Sequence, residues 1–409
     1  MERNIMRRRY KYIIATTSFV CSSIVFAQQF GDPANIPVGR FDLTPTLDTG
    51  LQFDDNVIQD DEGSIKSWSR IIAPQFDFST TYGASDFIIA YKLVDQTYFS
   101  SSEDNYTDHY ARIGVDSELS ARHRFSANAR YTNGHDARGS NFSIGQGSSL
   151  DEVDQYDEVQ AAASYSYGAF NSDGRLEVEL SVLDKDYDIN TEDYLVRDRK
   201  SSRLGSSFLY RVGPLTDFAI DYERTFVDYD FSLDETNPLD STEDSILAGV
   251  EWEATSKTSG FAKIGYQRKD FNSSQREDFS GFDWSLGVTW EPTQYSQFDV
   301  NTNSNTNETN GEGNFIRSEL YSIAWRHEWV ERFRTSTSLT LSEDSYEGQV
   351  IDDLAIRTDD NMRFKVSAFY MYRRWLSFEF SYAYDERDSN RETIDFNRNR
   401  FSFKAFVTL

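Results

Sequence analysis

The chain has 409 residues, with 68 acidic and 41 basic side chains, a formal net charge of −27 and 15% aromatics. So acidic a chain argues against a nucleic-acid partner, because phosphate binding needs a basic surface, and the aromatic content argues against disorder. The single cysteine, Cys21, excludes a disulfide framework and a thiolate zinc site, and no run of ~18 apolar residues exists to form a membrane helix.

The N-terminus reads as an export signal. Arg3, Arg7, Arg8, Arg9 and Lys11 precede a short apolar stretch, Ile13 to Ala27, that ends in Val25-Phe26-Ala27. Compact residues three and one before Gln28 predict cleavage after Ala27. Residues 1–27 are then a signal peptide, 28–42 a short periplasmic segment and 43–409 a β-barrel domain whose signature follows.

Along 43–409 apolar residues recur at every second position. Leu176/Val178/Leu180/Val182, Phe282/Trp284/Leu286/Val288/Trp290 and Leu376/Phe378/Phe380/Tyr382/Tyr384 are clear runs. Polar or small residues lie between them, which gives strands with one apolar and one polar face. Eighteen such segments are expected, the first starting near Leu43 and the last near Asn399. Pro45 and Pro74 weaken the first two, since proline cannot donate to a ladder. The fourteenth, near Ser318, leaves two orientations open, with either Leu320/Ser322/Ala324 or Tyr321/Ile323/Trp325 facing outward.

The connections alternate in size. Short ones such as 83–86, 213–217 and 373–375 carry turn residues, among them Gly83 and Gly213-Pro214. Long ones fall at 54–67, 99–106, 132–154, 184–199, 228–244, 268–279, 305–317, 342–361 and 385–398. Short turns on one side and long loops on the other are the mark of an up-and-down outer-membrane barrel. The nine long connections hold 41 of the 68 acids and 13 of the 41 bases, so one rim is strongly acidic. That rim is read either as self-repelling solvated surface or as a site where divalent cations bridge to anionic lipid sugars. Asp54-Asp55-Asn56 with Asp60-Asp61-Glu62 is the calcium candidate, although it lacks the spacing of a known calcium loop.

A soluble barrel would put its apolar face inside. Here the other face is Ser, Thr, Asn, Gly and charge, which suits a wet lumen. Tyr165/Tyr167, Trp290, Tyr370/Tyr372 and Tyr382/Tyr384 gather toward strand ends, as interface aromatics do. The expected fold is all-β: a single transmembrane up-and-down antiparallel barrel of about 18 strands in the lipid of a Gram-negative outer membrane. The last strand alternates through Phe401, Phe403, Ala405, Val407 and Leu409. It resembles the signal read by barrel-assembly machinery, with Leu409 where a terminal Phe is usual.

The segment Gly50-Leu-Gln-Phe-Asp-Asp-Asn-Val57, followed by Ile71-Ile-Ala-Pro-Gln-Phe-Asp-Phe78, resembles the first hairpin of the β-barrel porin type 2 family. That family includes outer-membrane barrels encoded with exopolysaccharide biosynthesis genes (the EpsL/VpsM type). The resemblance implies an outer-membrane pore for a secreted polysaccharide chain, partnered by a periplasmic polysaccharide-export protein. It supplies no catalytic residue.

The residues agree on that last point. The four histidines are His109, His123, His135 and His327, and the adjacency of His135 and Asp136 on a loop is weak evidence for a dyad. No phosphate loop, metal-ligand spacing or glycosidase acid pair stands out, so no catalytic, cofactor or metal site is expected. The expected lumen positions are Glu177, Glu179, Arg211, Asp221, Glu223, Glu251, Glu253, Asp283, Asn301, Asn303, Arg334, Arg363, Lys365, Glu379 and Lys404. Acids dominate the middle strands and bases the closing ones. That segregation either sets a transverse field or reflects a plain need for polarity.

The longest connection, 132–154, is rich in Gly and Ser, from Gly134 to Ser149. Such a loop either folds inward as a constriction or projects outward as a flexible surface loop. Three functions stay open: a conduit for exopolysaccharide, a diffusion porin for small solutes, and a structural or adhesive barrel.

Overall fold

The computed structural model describes residues 35–61, 63–189, 192–255, 257–348 and 355–408; the expected signal peptide, Glu62 and Leu409 fall outside them. A short strand, β1 (Ile36–Val38), turns at Gly39, whose φ of 67° suits glycine, and pairs with the start of β2 (Phe41–Asp54). The first half of the barrel continues with β3 (Ser67–Tyr82), β4 (Ser85–Tyr98), β5 (Tyr106–Ser120), β6 (His123–Asp136), β7 (Asp154–Tyr167), β8 (Gly174–Tyr187), β9 (Arg199–Gly213) and β10 (Thr216–Tyr229). The second half is β11 (Ser241–Thr255), β12 (Thr258–Phe271), β13 (Phe279–Thr293), β14 (Ser296–Glu308), β15 (Phe315–Val330), β16 (Phe333–Glu347), β17 (Thr358–Arg373), β18 (Leu376–Ser389) and β19 (Phe396–Thr408). From β2 on, each strand pairs antiparallel with the next, and β19 closes on β2 from Arg400↔Asp54 to Thr408↔Thr46. The result is a closed barrel of 18 strands.

The barrel is inside out relative to a soluble one. On β18 Phe380 is 57% exposed, whereas its neighbours Glu379 and Ser381 are 7% and 8% exposed. Apolar side chains therefore point away from the barrel and polar ones into it, as a lipid environment requires. The open orientation of the fourteenth segment resolves the same way: Tyr321 and Ile323 on β15 are 46% and 47% exposed, and Ile323 pairs with outward Val300. Tyr321/Ile323/Trp325 face out.

Two expectations need correction. The first barrel strand starts at Phe41 instead of Leu43, and the strands run further than the apolar alternation does. The connection expected at 132–154 spans 137–153, and the one expected at 228–244 spans 230–240. A bilayer crossing needs about 9–11 residues per strand, so strands of 13–16 residues rise beyond the lipid. There both faces can be polar, while each added rung still satisfies backbone groups. Asp184, Asp186, Glu243, Asp244, Glu343 and Asp344 thus sit on strand tops and not in loops.

The prolines keep to places where a missing N–H costs little. Pro74 faces Leu47 on β2, and the β3–β4 ladder skips from Ile72↔Asp95 to Gln75↔Lys92 without changing register. Pro45 pairs with Phe76 but lies just beyond the β19–β2 seam, which ends at Thr46.

Candidate pore and its mouth

The inward faces carry two banks of charge on opposite sides of the barrel. On the β8–β12 side, Lys263 Nζ sits 2.5 Å from Asp221 Oδ2 and 2.7 Å from Glu251 Oε1. Asp217 accepts from Arg211 Nε at 2.6 Å and from Arg175 at 2.7 Å, and Glu223 lies 3.6 Å from Arg203. Glu177 and Glu179 face the same interior beside Ser207 and Gly205 of β9. Glu253 is exposed near the short-turn end, its backbone N–H bonded to Leu215. Asp283 on β13 is buried and accepts from Ser245 Oγ at 2.7 Å.

On the β16–β19 side, Arg363 Nε lies 2.5 Å from Asp385, which also meets Arg400 at 2.7 Å and Arg398 at 3.5 Å. Lys365 stands 3.9 Å from Glu379, Lys404 pairs opposite Glu379, and the Arg334 guanidinium covers the Phe369 ring at 4.9 Å. Each bank therefore carries its own counter-charges: Arg175, Arg203 and Lys263 on one, Asp385 on the other. The sequence pattern of acidic middle and basic closing strands is offset locally by these pairings. These partners were missed because a cross-strand neighbour cannot be read from one strand's alternation.

Between the banks, the inner wall is sparsely charged over a broad sector, with Asp299 paired to Arg326 at 2.9 Å. Asn303 pairs with Ser285, Asn301 with Ser322, Ser322 with Thr340, and Ser336 with Ser367. Hydroxyl and amide groups dominate here.

The long-loop end is narrowed. Loop 137–153 starts beside β6 yet reaches loops on the other side of the ring. Asn310 Nδ2, in the β14–β15 connection, donates to the Asn141 carbonyl at 3.4 Å. Gly145 packs against Ile394 in the β18–β19 connection, where a Cβ would come within 2.5 Å of Cγ2. Gly139, at φ +78°, lies so close to Ile58 that a Cβ would overlap its carbonyl oxygen at 1.7 Å. Of the two readings of this loop, the structure has the inward one. The small residues are there because other backbones pass against them.

The loop is tethered. Arg138 is buried and donates to Asp104 from Nε at 2.9 Å and from Nη2 at 2.6 Å, and also to the Leu150 carbonyl at 2.8 Å. The Asp104 carboxylate raises the Arg138 guanidinium above its ordinary pKa. Phe142 packs edge-on against Tyr187 and under the Arg197 guanidinium at 4.2 Å.

The calcium candidate has another use. Asp54 Oδ1 accepts from the Asn56 N–H at 3.0 Å, and Asp54 lies 4.0 Å from Arg398. Asp55 accepts from the backbone N–H and side-chain amide of Asn399 at 2.6 and 2.9 Å. Asn56 Nδ2 donates to the carbonyls of Asp60 and Asn397 at 2.8 and 2.9 Å. The Asp-Asp-Asn triplet ties the β2–β3 loop to β19 and sets Val57 and Ile58, both buried, under loop 137–153. Its oxygens are committed to that fastening.

The histidines are dispersed. His135 Nδ1 meets Asp108 at 2.9 Å and stacks on Tyr106, while adjacent Asp136 accepts from Tyr187 at 2.7 Å. The pair is no dyad. His109 bonds Tyr91, His123 bonds Tyr165, and His327 packs against Trp325 and Trp329.

Comparison with known proteins adds a family. The model of the family described as "Putative beta-barrel porin 2" matches residues 29–408. No curated protein matches the chain. Among solved structures, OprD of Pseudomonas aeruginosa is similar at 10% identity and a TM-score of 0.45, with 93% of this chain and 99% of that one covered. OccAB4 of Acinetobacter baumannii is similar at 9% identity and a TM-score of 0.47, covering 90% and 98%. The FrpB iron transporter of Neisseria meningitidis (F3-3 variant) gives 10% identity and a TM-score of 0.47; this chain, covered over 86%, spans 64% of its length.

Proposed function

The chain belongs to the putative beta-barrel porin 2 family, and from that footing we propose that its lumen conducts a secreted exopolysaccharide across the outer membrane. An outer-membrane, porin-like channel and not an enzyme is the shared ground of the family. The observation that carries the finer reading is the hydroxyl- and amide-rich inner sector centred on β14–β16, where Asp299 is held by Arg326. Its Ser, Thr and Asn side chains exchange hydrogen bonds readily with sugar hydroxyls and hold no fixed charge against a passing chain. The opposed charged banks are mostly paired internally, so a neutral or sparsely charged glycan meets no strong local field. The Gly50–Val57 motif supports the same reading through its resemblance to barrels of exopolysaccharide operons. A periplasmic polysaccharide-export protein would feed the short-turn end.

The narrowed mouth favours a second reading, a diffusion porin for small solutes. A deletion strain separates the two. Loss of surface polymer with small-solute uptake unchanged, restored by the intact gene, supports export. Unchanged polymer with reduced uptake overturns it.

A further inference from the structure

The barrel wall has a seam. Strands β13 and β14 pair from Thr293↔Ser296 to Ser285↔Asn303, where the ladder stops. Beyond it β13 stays bonded to β12 as far as Lys269↔Phe279, and β14 to β15 as far as Glu308↔Phe315. Among the described residues, no backbone pairing joins Phe279–Trp284 to Ser304–Glu308.

The sequence supplies the cause. The outward stripe of β14 is apolar at Phe298 and Val300 and then turns to Thr302, Ser304 and Thr306, while β13 beside it still offers Phe282 and Trp284. Outward Phe282, 54% exposed, shows that lipid still reaches this level, where a strand polar on both faces is poorly suited, so the top of β14 leaves the wall and carries with it β15, which stays laddered to β16 up to Phe315↔Glu347. It comes to rest inside. Glu308 Oε1 meets Lys269 Nζ at 2.6 Å and Glu308 Oε2 accepts from Tyr229 at 2.8 Å. Phe315 packs on Phe279 and Phe271, and Lys269 loses all solvent contact. The face of the hairpin that would have met lipid now covers the inner face of β12 and β13.

The fit is incomplete. Gln267 Nε2, Ser241 Oγ and Ser304 Oγ are buried there without hydrogen-bond partners among the described residues. Such a contact is easier to break than a satisfied core. Continuing the β13–β14 register by simple count would set Trp284 against Ser304 and Asp283 against Asn305, so two matching free edges are already in place.

We propose that the top of the β14–β15 hairpin is a gate. Rolled in, it meets Asn141 and Phe142 of loop 137–153 and narrows the mouth from the opposite side. Swung out, it zips onto the free edge of β13, the wall becomes continuous and the mouth widens. Lys269 and Glu243 then return to lumen water together, so neither charge is stranded. The proposal concerns conductance of the barrel and stands apart from what the pore carries.

Disulfides test it in the full chain with Cys21→Ser. The pair Asn141→Cys with Asn310→Cys should lock the closed form and lower single-channel conductance at least about twofold on oxidation. Asp283→Cys with Asn305→Cys should form a disulfide in native membranes and raise conductance by a similar factor. Glu308→Gln, which needs no new bond, should shorten closed dwell times. If the 283/305 pair stays reduced where the 141/310 pair oxidises, or if conductance and dwell times ignore all three changes, the hairpin is fixed inside the mouth and is no gate.

Discussion

Strands β18 and β14 are built from the same kind of alternation, yet one stays in the wall and the other leaves it. On β18 the outward stripe runs unbroken through Leu376, Phe378, Phe380, Tyr382 and Tyr384, and the strand pairs with β19 from Leu376↔Val407 to Arg387↔Phe396. On β14 the stripe ends at Val300, and pairing with β13 ends one rung beyond Thr302, at Asn303. Strand propensity does not separate them, since both remain extended. The outward stripe decides whether a strand is wall or filling.

The sharpest way to break this contrast is to put a charge into the intact stripe. Phe380→Arg should destabilise the barrel by ~2–4 kcal/mol, whereas Glu379→Gln on the inner face should be nearly neutral. Urea unfolding in lipid vesicles reads both; equal costs would remove the distinction between faces. Deleting residues 137–149 should come next, raising single-channel conductance clearly in a barrel that still assembles. Unchanged conductance would place the constriction elsewhere.

The converse change should be gentler. Thr302→Val with Ser304→Leu and Thr306→Val extends the apolar stripe of β14, and should shift the hairpin toward the wall and lengthen open dwell times in recordings. The smallest effect expected is for Asn56→Ala. Losing its two carbonyl bonds should cost about 1–2 kcal/mol and speed proteolytic clipping of the β2–β3 loop. Chelators should leave that loop unaffected, because Asp54 and Asp55 are bonded to the protein itself.

All eighteen strands were legible in the sequence because a lipid-facing wall imposes a period of two that nothing else in the chain imitates. Their tops were not, since above the lipid both faces are polar and the period disappears. The orientation of β15 resisted because Leu320 and Ala324 are as apolar as their neighbours, and pairing of Ile323 with Val300 settles it. Alternation alone places Asn301 and Asn303 inward, but the polarity of Thr302, Ser304 and Thr306 on the other face acts only through β13 beside it, which one strand does not reveal. The ion pairs stayed hidden because Lys263 meets Asp221 from two strands away. The role of Asp54-Asp55-Asn56 stayed hidden because its partners, Asn397 to Asn399, lie at the other end of the chain.

Outward polarity takes the top of β14 out of contact with lipid. Fluorophores on single cysteines at Phe380 and Ser304, in vesicles containing spin-labelled lipid, test it most directly. Strong quenching is expected at 380 and little at 304, where the native side chain is buried within the barrel. Equal quenching at the two positions would contradict it, and would return β14 to the wall.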